Sequence, residues 1–169
     1  MNMNRILLVA TTLLAGAALA AVSPAFADSV NGASATGTAA VTIFTPVSVT
    51  QTQGLDFGAV TSGASGVVSI AQASGTRTVS GGVGAVAAHV GKAGAFSVQG
   101  QANAAINVVV GANITGFQGG ITGTTLAGNL PTVLAGQSAS FNVGGSLAIP
   151  ANTPAGAYTG SYTVAVNYP

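Results

Sequence analysis

Apolar side chains in this chain recur at every second residue rather than at every third or fourth, and that period specifies strands instead of amphipathic helices. Near the N-terminus Ala35, Gly37, Ala39, Val41 and Ile43 alternate with Ser34, Thr36, Thr38 and Thr42, broken only where Ala40 takes a polar place. Near the C-terminus Tyr158, Tyr162, Val164, Val166 and Tyr168 alternate with Thr159, Ser161, Thr163 and Asn167. Successive side chains of a strand point to opposite faces, so each stretch offers one face to a core and one to water. Shorter strands are expected over residues 47–51, 55–60, 67–71, 95–99, 104–110, 138–143 and 146–149, divided by turn punctuation such as Ser62-Gly63 and Gly144-Gly145. Residues 81–92 read as loop or strand. Pro46 lacks the N–H that a paired strand needs, and it separates an N-terminal arm, residues 28–45, from the rest of the chain, residues 46–169. Many short strands with frequent turns predict an all-β sandwich of about 7–9 strands.

The first 27 residues predict a signal peptide. Arg5 precedes an apolar run over residues 6–22, too short for a comfortable membrane span, and Ala25 and Ala27 supply the small residues that signal peptidase requires. Cleavage is expected after Ala27, with Ala18, Leu19 and Ala20 as a second, weaker site. No later apolar stretch approaches about 18 residues, so the mature chain is expected to have no transmembrane helix. The expected route is export, through the periplasm to the cell surface or the extracellular space.

Beyond residue 27 the ionisable side chains are Asp28, Asp56, Arg77 and Lys92, with His89 as the other group titrating near neutrality. Such a chain has no basic stripe for phosphates, which argues against nucleic acid. A general base needs a partner to orient it, and His89 stands alone; Asp28 and Asp56 make an implausible pair, since Asp28 is the expected mature N-terminus. Asp56 lies between Leu55 and Phe57, with Gly58 following, and reads as a solvent-facing or turn-capping carboxylate. Residues 82–87 fit a loose GxGxxA pattern, yet no acidic residue follows Asp56 to hold a ribose. Cysteine is absent, and no cluster of His, Asp or Glu suits zinc or calcium. The expectation is no catalytic site, no cofactor and no metal, and the chain is expected not to be an enzyme. A neutral surface rich in Thr, Ser, Asn, Gln and Gly offers little charge repulsion between copies, so self-association is expected.

Three segments carry a resemblance: residues 41–58 (VTIFTPVSVTQTQGLDFG), residues 94–110 (GAFSVQGQANAAINVVV) and residues 154–168 (PAGAYTGSYTVAVNY). In order and spacing they resemble a bacterial pilin-like family of domains of unknown function, itself similar to spore coat protein U and to the archaic chaperone/usher pilins. The pattern AGxYTGxYTVxVNY at the C-terminal end is the most specific part. The resemblance implies an immunoglobulin-like sandwich that lacks its last strand and accepts an N-terminal arm from the next subunit. It also implies a periplasmic chaperone and an outer-membrane usher as partners. The relatives similar to spore coat protein U usually carry a cysteine in the first strand, and this chain has none there.

Two functions of different class follow as expectations. One is the structural subunit of a surface fibre or pilus, assembled by donor-strand exchange through Ala35, Gly37, Ala39, Val41 and Ile43 and contributing to adhesion or biofilm. The other is a monomeric secreted binding module for a glycan or surface ligand, with a soluble matrix or coat protein as a third, weaker reading. Periodicity alone leaves open whether the arm pairs within its own domain or with another copy. The alternation at the other end makes Tyr158, Tyr162, Val164, Val166 and Tyr168 the candidate C-terminal core strand.

Overall fold

A computed structural model describes residues 32–169, and the expected signal peptide and its cleavage point lie outside them. The protein is all-β. Among the described residues nine strands form: β1 Ser48–Gln53, β2 Val60–Ile70, β3 Arg77–Ala85, β4 Gly94–Gln99, β5 Asn107–Val110, β6 Asn113–Ile114, β7 Thr122–Leu126, β8 Ser138–Ile149 and β9 Val164–Asn167. Every pairing is antiparallel, as expected where consecutive strands are joined by tight turns rather than crossover helices. The larger sheet runs β1-β4-β8-β2-β3, with β7 also against β8 and β6 against β7, while β5 and β9 form a separate pair. Among the described residues no helix is long and apolar enough to cross a membrane.

The long strand β8 organises the sandwich. Its first half pairs with β4, Phe96 opposite Phe141 and Val98 opposite Ala139. Its second half pairs with β2 on one side and β7 on the other. Odd-numbered residues of β8 face inward along its whole length, so Phe141 and Val143 join one core and Leu147 and Ile149 a second. The first core includes Phe96, Val98, Ile106, Val108 and Leu134, with Phe96 and Phe141 stacked at 5.4 Å. The second gathers Val68, Val83, Ile114 and Ile121, and Tyr162 packs against both.

Several sequence expectations change. Gly144-Gly145 is not a turn between two strands. Both residues are buried in the middle of β8, because a Cβ on Gly144 would fall on the backbone of residues 70–72 and one on Gly145 would meet the Phe57 ring and Leu55. Glycine here permits close approach instead of reversal. Ser62-Gly63 likewise lies inside β2, where the pairing with β3 shifts register between Ser62 and Gly66. Residues 55–59 form a wall without regular pairing, apart from a bridge at Asp56, and Val60 begins β2. At the C-terminal end only Val164–Asn167 forms a strand.

The chain divides after Ala40. Residues 32–40, the described part of the first unit, are exposed and form no strand. In the second unit, residues 41–46 are exposed and likewise without regular structure, and Val41 and Ile43 are 84% and 86% exposed. Among the described residues the alternating stretch 35–43 pairs with no strand, and an unpaired strand is not stable in water.

Candidate functional site

The second core is open along one side. Residues 55–62 form one wall of a groove and residues 153–162 the other, with Val68, Ile114, Ile121, Leu147 and Ile149 as its floor. Its volume is about 830 Å³. At one end the two walls converge where Leu55 and the Tyr162 hydroxyl both lie against Gly94. At the other they are tied by Asn152 N donating to Gly63 O at 3.1 Å and Ser62 Oγ donating to Pro150 O at 3.4 Å. Between those ends no hydrogen bond joins residues 56–61 to residues 154–161 among the described residues.

The first wall is held from behind. Leu55 and Phe57 are half-buried over the second core, directed there by alternation, while Asp56 faces the other way. The Asp56 carboxylate accepts from Gly58 N at 2.7 Å, and the Asp56 backbone exchanges two hydrogen bonds with Lys92, at 2.9 and 2.7 Å. Gly58 sits at φ +70°, and a Cβ there would strike His89 O and the Arg77 guanidinium. That guanidinium donates to four backbone carbonyls: from Nη1 to His89 O (2.7 Å), Ala59 O (2.9 Å) and Phe57 O (3.4 Å), and from Nη2 to Val86 O (2.9 Å). Arg77 thus fastens the wall to the 86–92 loop. The Asp56, Phe57 and Ala59 carbonyls are thereby engaged on the side away from the groove.

The second wall contains the C-terminal motif. The Tyr158 hydroxyl donates to Pro154 O at 2.7 Å, so its ring lies along the wall, half-buried against the second core. Thr115 and Ser161 exchange backbone bonds at 2.9 and 2.7 Å, which anchors the wall to the strand pair behind it. Tyr162 stands where the walls meet. Its hydroxyl is buried without a hydrogen-bond partner among the described residues, and burial pushes its pKa above the usual tyrosine value, with Gln51 nearby tempering the shift. The Gln51 side chain is close enough for that but does not make a bond of good geometry.

Of the residues singled out by sequence, Tyr158 and Tyr162 line the groove, while Val164 and Val166 pack against the first core. Tyr168 lies further along the same chain, half-buried against the first core. Ala35, Gly37 and Ala39 are exposed in the first unit, and Val41 and Ile43 are exposed at the start of the second. Sequence reasoning missed Phe117 and the part played by Arg77; the available signal was a lone arginine with no acidic residue after Asp56 to pair it. Among the described residues no group of three His, Cys, Asp or Glu could hold a metal ion.

Residues 47–168 match the family model described as Domain of unknown function (DUF4402), and the chain belongs to that family. No curated protein and no solved structure matches the chain.

Proposed function

We propose that this member of the family is an exported structural subunit of a surface fibre, without catalytic activity, and that it assembles by donor-strand exchange. The observation that carries the reading is the pairing of two unfinished parts: an apolar groove with no strand between its walls, and an exposed arm whose apolar side chains alternate at strand period. Each is costly alone and complements the other. A nine-residue arm spans about 30 Å, the length of a sandwich groove. Burial of Val41 and Ile43 contributes up to about 1.5–3 kcal/mol each, and each ladder hydrogen bond adds about 0.5–1.5 kcal/mol. Addition of a strand to an unpaired edge is an established mode of peptide recognition.

On this reading Ala35, Gly37, Ala39, Val41 and Ile43 form the face that enters the groove. A periplasmic chaperone would cover the groove before assembly and an outer-membrane usher would deliver the subunit, with adhesion or biofilm as the fibre's contribution. The ionisable side chains support a structural role. Asp56 caps a turn, and Arg77 is engaged with backbone carbonyls.

The test is the mature full-length chain carrying Val41→Ser with Ile43→Ser, followed by light scattering after size-exclusion chromatography. The expected result is a folded monomer that no longer polymerises, since both side chains are exposed and their loss leaves the domain intact. Polymers of undiminished length would overturn the proposal, and a monomeric wild type that binds glycans through the groove would favour the binding-module reading.

A further inference from the structure

The root of the arm is clamped. The Tyr168 hydroxyl donates to Thr45 O at 2.7 Å and accepts from Gln101 N at 2.7 Å. Thr45 N and Oγ1 both donate to Gln101 Oε1 at 3.3 Å. The Phe44 ring meets Tyr168 edge-on, with centroids 5.4 Å apart. The chain is therefore pinned at residues 44–45 beside Tyr168, and Pro46 then fixes its direction into β1.

That position decides what the arm can touch. From Thr45, Val41 is four residues away and reaches at most about 14 Å even when fully extended; Ile43 reaches about 7 Å. The groove begins at Tyr162, whose hydroxyl lies against Gly94 at the start of β4, whereas the Tyr168 hydroxyl lies against Gly100 just past its end, six residues or about 20 Å away. Doubling back about Pro46 would bring Val41 only as far as Gln51, at the Tyr162 end of the groove, and Ile43 beside Val49, so neither side chain would reach the floor at Ile121 and Leu147.

Without such a restraint, polymerisation would be at a disadvantage. A segment on a short flexible tether has an effective concentration in the millimolar range at its own site, so at micromolar protein the arm would fill its own groove roughly a thousandfold in preference to a neighbour's. We infer that the Tyr168–Gln101 clamp on Phe44 and Thr45 is what makes assembly intermolecular, by holding each copy's Val41 and Ile43 out of its own groove and leaving it open to the arm of a second copy. The inference rests on the donor-strand reading and adds to it what keeps a copy's own Val41 and Ile43 from closing its groove.

The test lengthens the arm without touching the domain. A mature chain with about six Gly/Ser residues inserted between Ile43 and Phe44 keeps the clamp and gives Val41 and Ile43 about 20 Å more reach. A second variant, Tyr168→Phe with Gln101→Ala, releases the clamp itself. Both are compared with wild type by light scattering across a concentration series and by thermolysin, which cleaves before bulky apolar residues, read at Val41 and Ile43. Wild type is expected to be cut in the arm when dilute and protected when polymerised. The lengthened chain is expected to stay monomeric and be protected at every dilution, and the clamp variant to lose polymer in the same direction. Protection of the wild-type arm in a monomer, or a lengthened chain that polymerises and is cut like wild type, would overturn the inference while leaving the groove as the arm's binding site. A wild-type arm cleaved at every concentration, with no polymer, would remove the donor-strand reading and the clamp's role with it.

Discussion

Arg77 directs its guanidinium at four backbone carbonyls instead of a carboxylate, and through them it holds one wall of the groove. Hydrogen bonds to a charged donor are among the stronger ones, and their loss leaves partly buried carbonyls unsatisfied. Arg77→Met is expected to destabilise the domain by about 2–3 kcal/mol in chemical denaturation, with Arg77→Lys recovering only a part, since an ammonium cannot reproduce the planar fork. Equal stability of the two variants would contradict this. Tyr162 is the opposite case, a buried hydroxyl with no partner among the described residues. Tyr162→Phe is expected to stabilise the protein by about 1 kcal/mol. Burial raises the pKa of Tyr162, so the folded chain holds that proton more tightly than the unfolded one. Its contribution is intact below the ordinary tyrosine value of 10.0 and is lost as pH rises through the raised value. Denaturation midpoints of wild type should fall above about pH 10, and less steeply in Tyr162→Phe; a variant with the same alkaline profile would sink the assignment.

At the scale of elements, β8 shows how a glycine pair makes room inside a strand. The inward face of Gly145 is occupied by Leu55 and Phe57, so Gly145→Val would push the groove wall outward and cost about 1–3 kcal/mol, whereas Ala148→Val on the exposed face should change stability by less than about 0.5 kcal/mol. Thermal unfolding of the two variants separates these outcomes, and similar losses in both would refute the account of Gly145. Much of the strand pattern was legible in the alternation, as in β4, where Gly94, Phe96 and Val98 are buried in turn. Gly144-Gly145 was misread because a glycine that makes room and a glycine that makes a turn look alike in one dimension. The strand β7, TGTTL, escaped notice because its inward positions include Gly123, which carries no apolar side chain to mark a face. Residues 55–59 carry a strand pattern but form a wall, since the backbone of Asp56 and Ala59 bonds to the 86–92 loop and Arg77 takes the Phe57 and Ala59 carbonyls. The motif residues of both walls were visible in sequence. That they face one another across an open gap was not, because the gap depends on pairings distant in the chain.

At the scale of the whole molecule, the described domain has a second core left open along one side and an exposed, alternating segment at residues 41–43 that finds no strand partner. The neutral surface inferred from composition removes charge repulsion between copies, so assembly should depend weakly on ionic strength. Light scattering in low and high salt should give comparable polymer lengths; dissolution of the fibre by salt would indicate that charge, not strand pairing, holds it. The central claim concerns what fills the groove. Electron cryo-microscopy of fibres assembled from the mature chain tests it most directly: the account predicts a continuous extended segment between residues 55–62 and 154–162 of each subunit, with the side chains of Val41 and Ile43 of the adjacent copy over Ile121 and Leu147. A fibre whose grooves hold no strand, or hold the same subunit's own arm, would contradict it.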